Sequence, residues 1–214
     1  MAYTGIVRMS GEDSCTQAKE ALDKQIYITQ SGKNLSFAVE VCDVPMGYVS
    51  SVGFIATLAL VHALEDLGKK QVHIFWPYTV LVEDKVFAKL SISAAYKTGV
   101  VAIVSLELME AVEDKTLIAI CNTIAEELSL WNEQVENKVI KAGPVSGCLS
   151  EIFDYTLLLG EEVLLETAEG RAVGVGTFGG LDVWGRACII GADGKETDYS
   201  WEQVRMKSLS DYLG

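Results

Sequence analysis

Chemistry in a folded chain needs nucleophiles, bases, metal ligands or phosphate cradles, and this chain of 214 residues offers few of them. Histidine occurs twice, at His62 and His73, too sparsely for a histidine metal centre or a triad. His62 stands beside Ala63 and Leu64 in an apolar run, where a hydrogen-bonded histidine at the edge of the core is expected. The five cysteines, Cys15, Cys42, Cys121, Cys148 and Cys188, form an odd set without a C-x-x-C pair. Neither a disulfide scaffold nor a zinc ribbon is therefore expected, and reduced thiols fit a cytoplasmic protein. Ser31-Gly32-Lys33-Asn34 contains a Gly-Lys step, yet no glycine stands five residues earlier and Asn follows the lysine. It reads as a turn into a strand, not a phosphate-binding loop. Gly174-x-Gly176 and Gly179-Gly180 lie in a β-rich stretch, which excludes a dinucleotide fingerprint by context. Glu126-Glu127 reads as a solvated helix face, and no serine keeps a histidine and an acid at a suggestive spacing.

The elements that must position any site are easier to read. Half of the residues are hydrophobic and 22% are charged, enough for a continuous core. Lys and Arg number 17 against 30 Asp and Glu, a net charge of −13, which excludes a nucleic-acid partner and disfavours an anionic membrane surface. Val44 to Leu64 lacks Asp, Glu, Lys and Arg over about the length of a membrane span. It nevertheless carries Pro45, Gly47, Ser50, Ser51, Gly53 and Thr57 between acidic flanks, which predicts a buried helix and no membrane partner. The N-terminus, Met1-Ala2-Tyr3-Thr4-Gly5, shows no basic region before an apolar run, so no signal peptide is expected. A first helix starts at Asp13 or Ser14, with Ser14 and Gln17 as a capping box and Ala18, Ala21 and Leu22 inward. Leu35 to Cys42 alternates as a half-buried strand. Gln71 to Trp76, Val80 to Val82, Val86 to Ile92 and Val100 to Leu108 read as further strands, and Leu117, Ile120, Cys121, Ile124, Leu128 and Trp131 recur at helical spacing. A short helical segment around Ile152 to Leu158 precedes brief strands at Val163 to Thr167, Val173 to Phe178 and Ala187 to Ile190, with a hairpin signal at Asp193-Gly194. The fold class is α+β: a mixed sheet packed against helices over 1–158, then a small β-barrel over 159–214.

Several segments, in order, resemble biotin protein ligases of the wider biotin/lipoate ligase superfamily. Glu12-Asp13-Ser14-Cys15-Thr16-Gln17-Ala18-Lys19 is similar to the family's D-S-T-N-x-x-A-K. Ser31-Gly32-Lys33-Asn34-Leu35-Ser36-Phe37 resembles P-G-K-N-L-Y-F, Phe75-Trp76-Pro77-Tyr78-Thr79-Val80-Leu81-Val82 stands for K-W-P-N-D-I-L-V, and Lys85-Val86-Phe87-Ala88-Lys89-Leu90 replaces R-K-L-A-G-I. Leu159-Gly160-Glu161-Glu162-Val163, the 174–180 stretch and Leu181-Asp182-x-x-Gly185 look like the family's SH3-like C-terminal domain. The resemblance spans almost the whole chain and leaves no room for the DNA-binding domain that some members carry. It implies biotin activation with ATP and acyl transfer to a carrier-domain lysine, and pairing into a homodimer.

The departures matter as much. The family's G-R-G-R-x-G-R loop has no counterpart, since Ile28-Thr29-Gln30 runs straight into Ser31-Gly32-Lys33. Val86 takes the place of the strand lysine, and by alternation Lys85 and Lys89 point to the opposite face unless a register shift or a bulge brings one of them back. Tyr78 and Thr79 replace Asn and Asp, Phe75 replaces Lys, and Ala102-Ile103-Val104-Ser105-Leu106 stands where a glycine-bearing G-I-G-x-N strand closes over the ligand. The resemblance, with these losses, predicts a member that no longer adenylates, so neither biotin nor ATP is expected as a cofactor unless activity is retained. Ser14, Cys15, Gln30, Asn34, Trp76 and Val86 would line a vestigial pocket for a small carboxylic acid or an acyl-carrier domain, with no catalytic or metal-binding residue assigned. Three readings stay open: a binding module, a divergent but active biotin- or lipoate-type ligase, and a structural or oligomer-forming protein.

Overall fold

A computed structural model describes residues 2–11, 13–42 and 44–209. Seven strands form one sheet: β1 (Gly5–Met9), β2 (Gln25–Thr29), β3 (Asn34–Glu40), β4 (Val72–Phe75), β5 (Thr79–Val82), β6 (Lys85–Tyr96) and β7 (Val100–Leu108). Their order is β1-β2-β3-β7-β6-β5-β4, and β1–β2 is the parallel pair. A parallel pair needs a crossover, and α1 (Ser14–Ala21) supplies it. Its cap is Asp13, whose carboxylate accepts from the Thr16 backbone N–H at 2.9 Å, so the expected Ser14–Gln17 box does not form. Ser14 sits inside the first turn, and its hydroxyl is turned into the sheet instead.

The sheet is covered on both faces, which explains the unbroken apolar run at the start of β7. Ala102, Val104 and Leu106 join the main core, whereas Val101 and Ile103 pack with Ala18 of α1, Tyr27 and Ala38 on the other face. The main core lies under α2 (Val52–Asp66) and α3 (Asp114–Glu136). Every residue of α2 from Val52 to Val61 is buried, so the apolar stretch that is long enough to cross a membrane is the central helix of the protein interior. Gly53 is needed there: a Cβ would stand 2.6 Å from the Tyr78 ring.

After α4 (Leu149–Tyr155) the chain forms a second sheet from β8 (Glu162–Glu166), β9 (Ala172–Leu181), β10 (Ala187–Ile190), β11 (Glu196–Tyr199) and β12 (Arg205–Ser208), in the order β11-β10-β9-β8-β12. The Asp193-Gly194 turn joins β10 to β11, with Gly194 at φ +75°. The β-rich C-terminal region is present as an open ladder ending in the short strands β11 and β12, and no pairing among the described residues joins those two ends into a closed barrel.

Candidate functional site

Strands β3, β7 and β6 place polar residues in two registered rows on the face that α1 covers. Asn34 pairs with Glu107 and Glu107 with Lys89; Ser36 pairs with Ser105 and Ser105 with Ser91. The serine row is wired to the helix. Ser14 Oγ lies 3.0 Å from Ser36 Oγ, and Ser36 Oγ lies 2.7 Å from Ser105 Oγ. Cys15, one residue on, places its Sγ 3.5 Å from Ser93 Oγ. All of these side chains except Ser93, with Asp13 at the cap, line a cavity of about 460 Å³. A second cavity of about 740 Å³ continues from it, sharing Lys89, Leu90 and Ser91. This larger groove is walled by Phe75, Trp76 and Ile92 of the first sheet and by Trp201 and Met206 from the second-sheet segment, with Glu202 and Arg205 also lining it. Its volume and mostly apolar walls suit a small organic ligand.

Of the six residues the sequence nominates, three meet in the serine cavity: Ser14, Cys15 and Asn34. Trp76 lies in the neighbouring groove, almost fully buried, with its indole N–H donating to the Gly185 carbonyl at 3.1 Å. Val86 lines a separate cleft beside Phe87 and Met109. Gln30 is exposed in the turn between β2 and β3, away from all three cavities. Position 30 falls just past the end of β2 because the connection is short: β2 ends at Thr29, β3 resumes at Asn34, and the Gly32 N–H closes the turn on the Thr29 carbonyl at 2.9 Å.

Lys89 corrects the sequence reading. Simple alternation along β6 turns it away from the ligand face, yet it lines both cavities. The ladder between β5 and β6 slips at this place: Val80 pairs with Ala88 and Leu81 with Val86, leaving Phe87 without a partner. One extra residue reverses the alternation beyond it. Lys89, Ser91 and Ser93 therefore face α1, while Ala88 and Leu90 enter the core. The cavity is consequently not free of cationic groups. Sequence reasoning turned Lys89 to the wrong face and passed over Ser36, Ser91, Ser105 and Glu107 as site residues; the three serines did leave a signal, as hydroxyls punctuating apolar strands.

The charges are unevenly divided. In the serine cavity Lys89 stands against two carboxylates, Asp13 and Glu107, while in the groove Lys89 and Arg205 stand against Glu202. An anionic head is therefore better received from the groove side. Tyr78, at the position where the resemblance places a polar residue, is buried edge-on to Phe54 with ring centroids 4.9 Å apart and lies 5.6 Å from the Trp201 ring. Its hydroxyl donates to the Ser50 carbonyl at 3.0 Å, and burial pushes the phenol's pKa far up. It is a neutral packing residue.

This mixed sheet with helices on both faces, followed by a small C-terminal sheet, has the fold of solved biotin protein ligases. The structure superposes on the apo biotin protein ligase of Aquifex aeolicus with a TM-score of 0.71 over 97% of this chain and 99% of that one, at 15% identity. The same ligase in complex with biotin and ATP gives 0.67 over 96% and 100%, at 14% identity. A biotin protein ligase-like protein of unknown function from a Silicibacter species gives 0.60 over 92% and 93%, at 17% identity. No protein-family model and no curated protein matches the sequence. At these identities the likeness establishes the fold.

Proposed function

We propose that this chain is a ligase-fold binding module that holds a small apolar carboxylic acid without activating it. The observation that carries the reading is Lys89 at the junction of the two cavities, placed to meet a carboxylate whose apolar body lies along Trp76, Leu90 and Ile92 in the groove. A charge-assisted hydrogen bond in such a partly enclosed place contributes more than a neutral one. An acid carried on an acyl-carrier domain is the same ligand with a protein attached, and a homodimer would be compatible with either.

The residues present do not fit a nucleotide triphosphate. Stabilising a polyanion takes clustered cations and free backbone donors. Here Asp13 and Glu107 flank the one lysine of the serine cavity, no glycine lines either cavity among the described residues, and the short β2–β3 turn leaves no counterpart to the family's arginine loop. Losing one such donor costs about 10² to 10³ in rate, and several are missing together. The same Lys89 favours a second reading, a divergent acyl-transferring enzyme that has moved its cation three residues along the strand.

Calorimetric titration with biotin, lipoate and octanoate, each with and without ATP-Mg²⁺, separates the two. Binding of an acid alone, weakened roughly 10- to 100-fold by Lys89→Gln, is the expected result. Pyrophosphate release, or acid binding that requires ATP, would overturn the proposal in favour of the enzyme. Silence toward all three acids, with the fold intact by circular dichroism, would leave the structural reading standing.

A further inference from the structure

On the far side of the molecule from the serine cavity, His62 of α2 is held between two carboxylates from two other helices. Its Nδ1 lies 2.7 Å from Glu127 Oε1 on α3, and its Nε2 lies 3.0 Å from Glu151 Oε1 on α4. A neutral imidazole has one N–H donor and one acceptor nitrogen, so it can satisfy one carboxylate and must set a lone pair against the other. An imidazolium satisfies both. We propose that His62 is a proton-operated clamp that docks α4 onto α2 and α3 when charged and loosens it when neutral.

The surroundings leave the clamp no substitute cation. His62, Glu127 and Glu151 border a cavity of about 360 Å³ whose other walls are Ile55, Leu58, Trp131, Ile140 and their neighbours, and among the described residues no Lys or Arg lines it. Among the described residues the other titratable groups beside His62 are Cys148 in the segment before α4, which lines the same cavity, and Tyr155 on α4, with ring centroids 6.3 Å apart, and Tyr155 is in turn bonded to Glu65 of α2. Burial pushes the Cys148 thiol up to about 12, and burial with the Glu65 hydrogen bond pushes Tyr155 up to about 12, so both stay neutral through the physiological range. The Tyr155 hydroxyl donates to Glu65 at 2.8 Å, a second tie between α4 and α2 that adds an acceptor and no positive charge. The Glu127 hydrogen bond raises His62 above its ordinary 6.5, desolvation opposes this, and the fields of Glu127 and Glu151 add to the rise. A raised histidine stabilises fully below 6.5 and loses its contribution as the pH climbs through the raised value. Docking of α4 is therefore tightest in mild acid and relaxes toward alkaline pH.

Two structural links carry this further. Thr156, just past α4, bridges Ile74 of β4, and the Leu157 N–H donates to the Ile74 carbonyl at 2.9 Å. The chain then enters the second sheet at β8, whose neighbour β12 and the turn before it supply Arg205 and Trp201 to the groove. A proton on His62 thus acts on the segment that leads to one wall of the proposed ligand site, and the clamp itself stands or falls independently of what that site binds.

The test uses the chain's two histidines. In imidazole-detected NMR on the full-length protein, with His62→Gln assigning the two signals, His62 is expected to titrate above its ordinary 6.5, and Glu151→Gln should bring its midpoint down by several tenths of a pH unit or more. Hydrogen-exchange protection of the 149–155 amides, corrected for intrinsic rates, should fall as the pH passes the His62 midpoint, and His62→Gln should abolish that pH dependence while the 52–61 amides stay protected. A His62 midpoint at or below 6.5, or α4 protection that ignores the histidine's titration, overturns the proposal.

Discussion

Gly185 shows how much a single atom decides at the junction of the two sheets. It adopts φ +81°, and a Cβ there would stand 2.1 Å from the Phe54 ring on α2, while its carbonyl accepts the Trp76 indole N–H. The turn is held by Asp182, whose Oδ1 accepts from the N–H groups of Trp184 and Arg186, each at 2.9 Å. Gly185→Ala adds left-handed strain of about 1–2 kcal/mol and an overpacking cost of about 1–3 kcal/mol. Denaturant unfolding should therefore show a loss of about 2–5 kcal/mol, and a change under 1 kcal/mol would mean that Phe54 yields freely. At this scale the sequence reached part of the cavity through the family resemblance, whose motifs nominate Ser14, Cys15 and Asn34, and these three line it together. Lys89 was hidden because a bulge is a property of the pairing, and nothing in Val86-Phe87-Ala88 announces it. Glu127 was hidden differently: next to exposed Glu126 it looks solvated, and only the packing of α2 on α3 turns it toward His62.

Elements were read in proportion to how strongly they are patterned. The apolar helix α2 and the periodic helix α3 need no tertiary information, and α3 runs beyond the expected Leu117–Trp131 to Asp114–Glu136. β1 is a half-exposed edge strand, Gly5-Ile-Val-Arg-Met9, whose pattern is too mixed to stand out. β6 continues past Ile92 through Ser93-Ala94-Ala95, poor strand formers held by their pairing with Ile103, Ala102 and Val101 of β7. Helix α1 carries the prediction at this scale, since it holds Ser14 and Cys15 over the cavity. Its cap depends on an ionised Asp13, and hydrogen bonds from the Thr16 side chain and backbone hold that carboxyl below its ordinary 3.8. A depressed carboxylate contributes fully above its ordinary value and loses that contribution as the pH falls through the lowered one. Asp13→Ala should raise hydrogen exchange of the 16–21 amides near neutral pH, and the wild type should approach the variant in strong acid. If the two proteins exchange alike at neutral pH, the cap does not hold the helix, and the placement of Ser14 must come from its bond to Ser36 alone.

The molecule as a whole ties two sheets into one hydrophobic body. A single cluster of buried side chains contains Ile74, Trp76 and Val80 of the first sheet or its edge together with Val163, Phe178 and Ile189 of the second. Polar contacts cross the same seam: Trp76 to Gly185, the Ser51 hydroxyl to the Trp184 carbonyl at 3.3 Å, and the Val145 N–H to the Val183 carbonyl at 3.2 Å. Neither sheet can expose its side of this cluster without leaving large apolar area in water, so the chain should unfold in one calorimetric transition, with van't Hoff and calorimetric enthalpies in agreement. Phe178 is fully buried in the second sheet, and Phe178→Ala should cost about 3–5 kcal/mol. In a chain of this size that shifts the midpoint by roughly 10 °C, and coupling requires the shift to appear in probes of both sheets and in the exchange of the α3 amides. Two transitions, with Phe178→Ala lowering one and leaving α3 in place, would mean that the seam is an interface between independent units. The groove that it walls would then open by domain separation instead of by local movement of side chains.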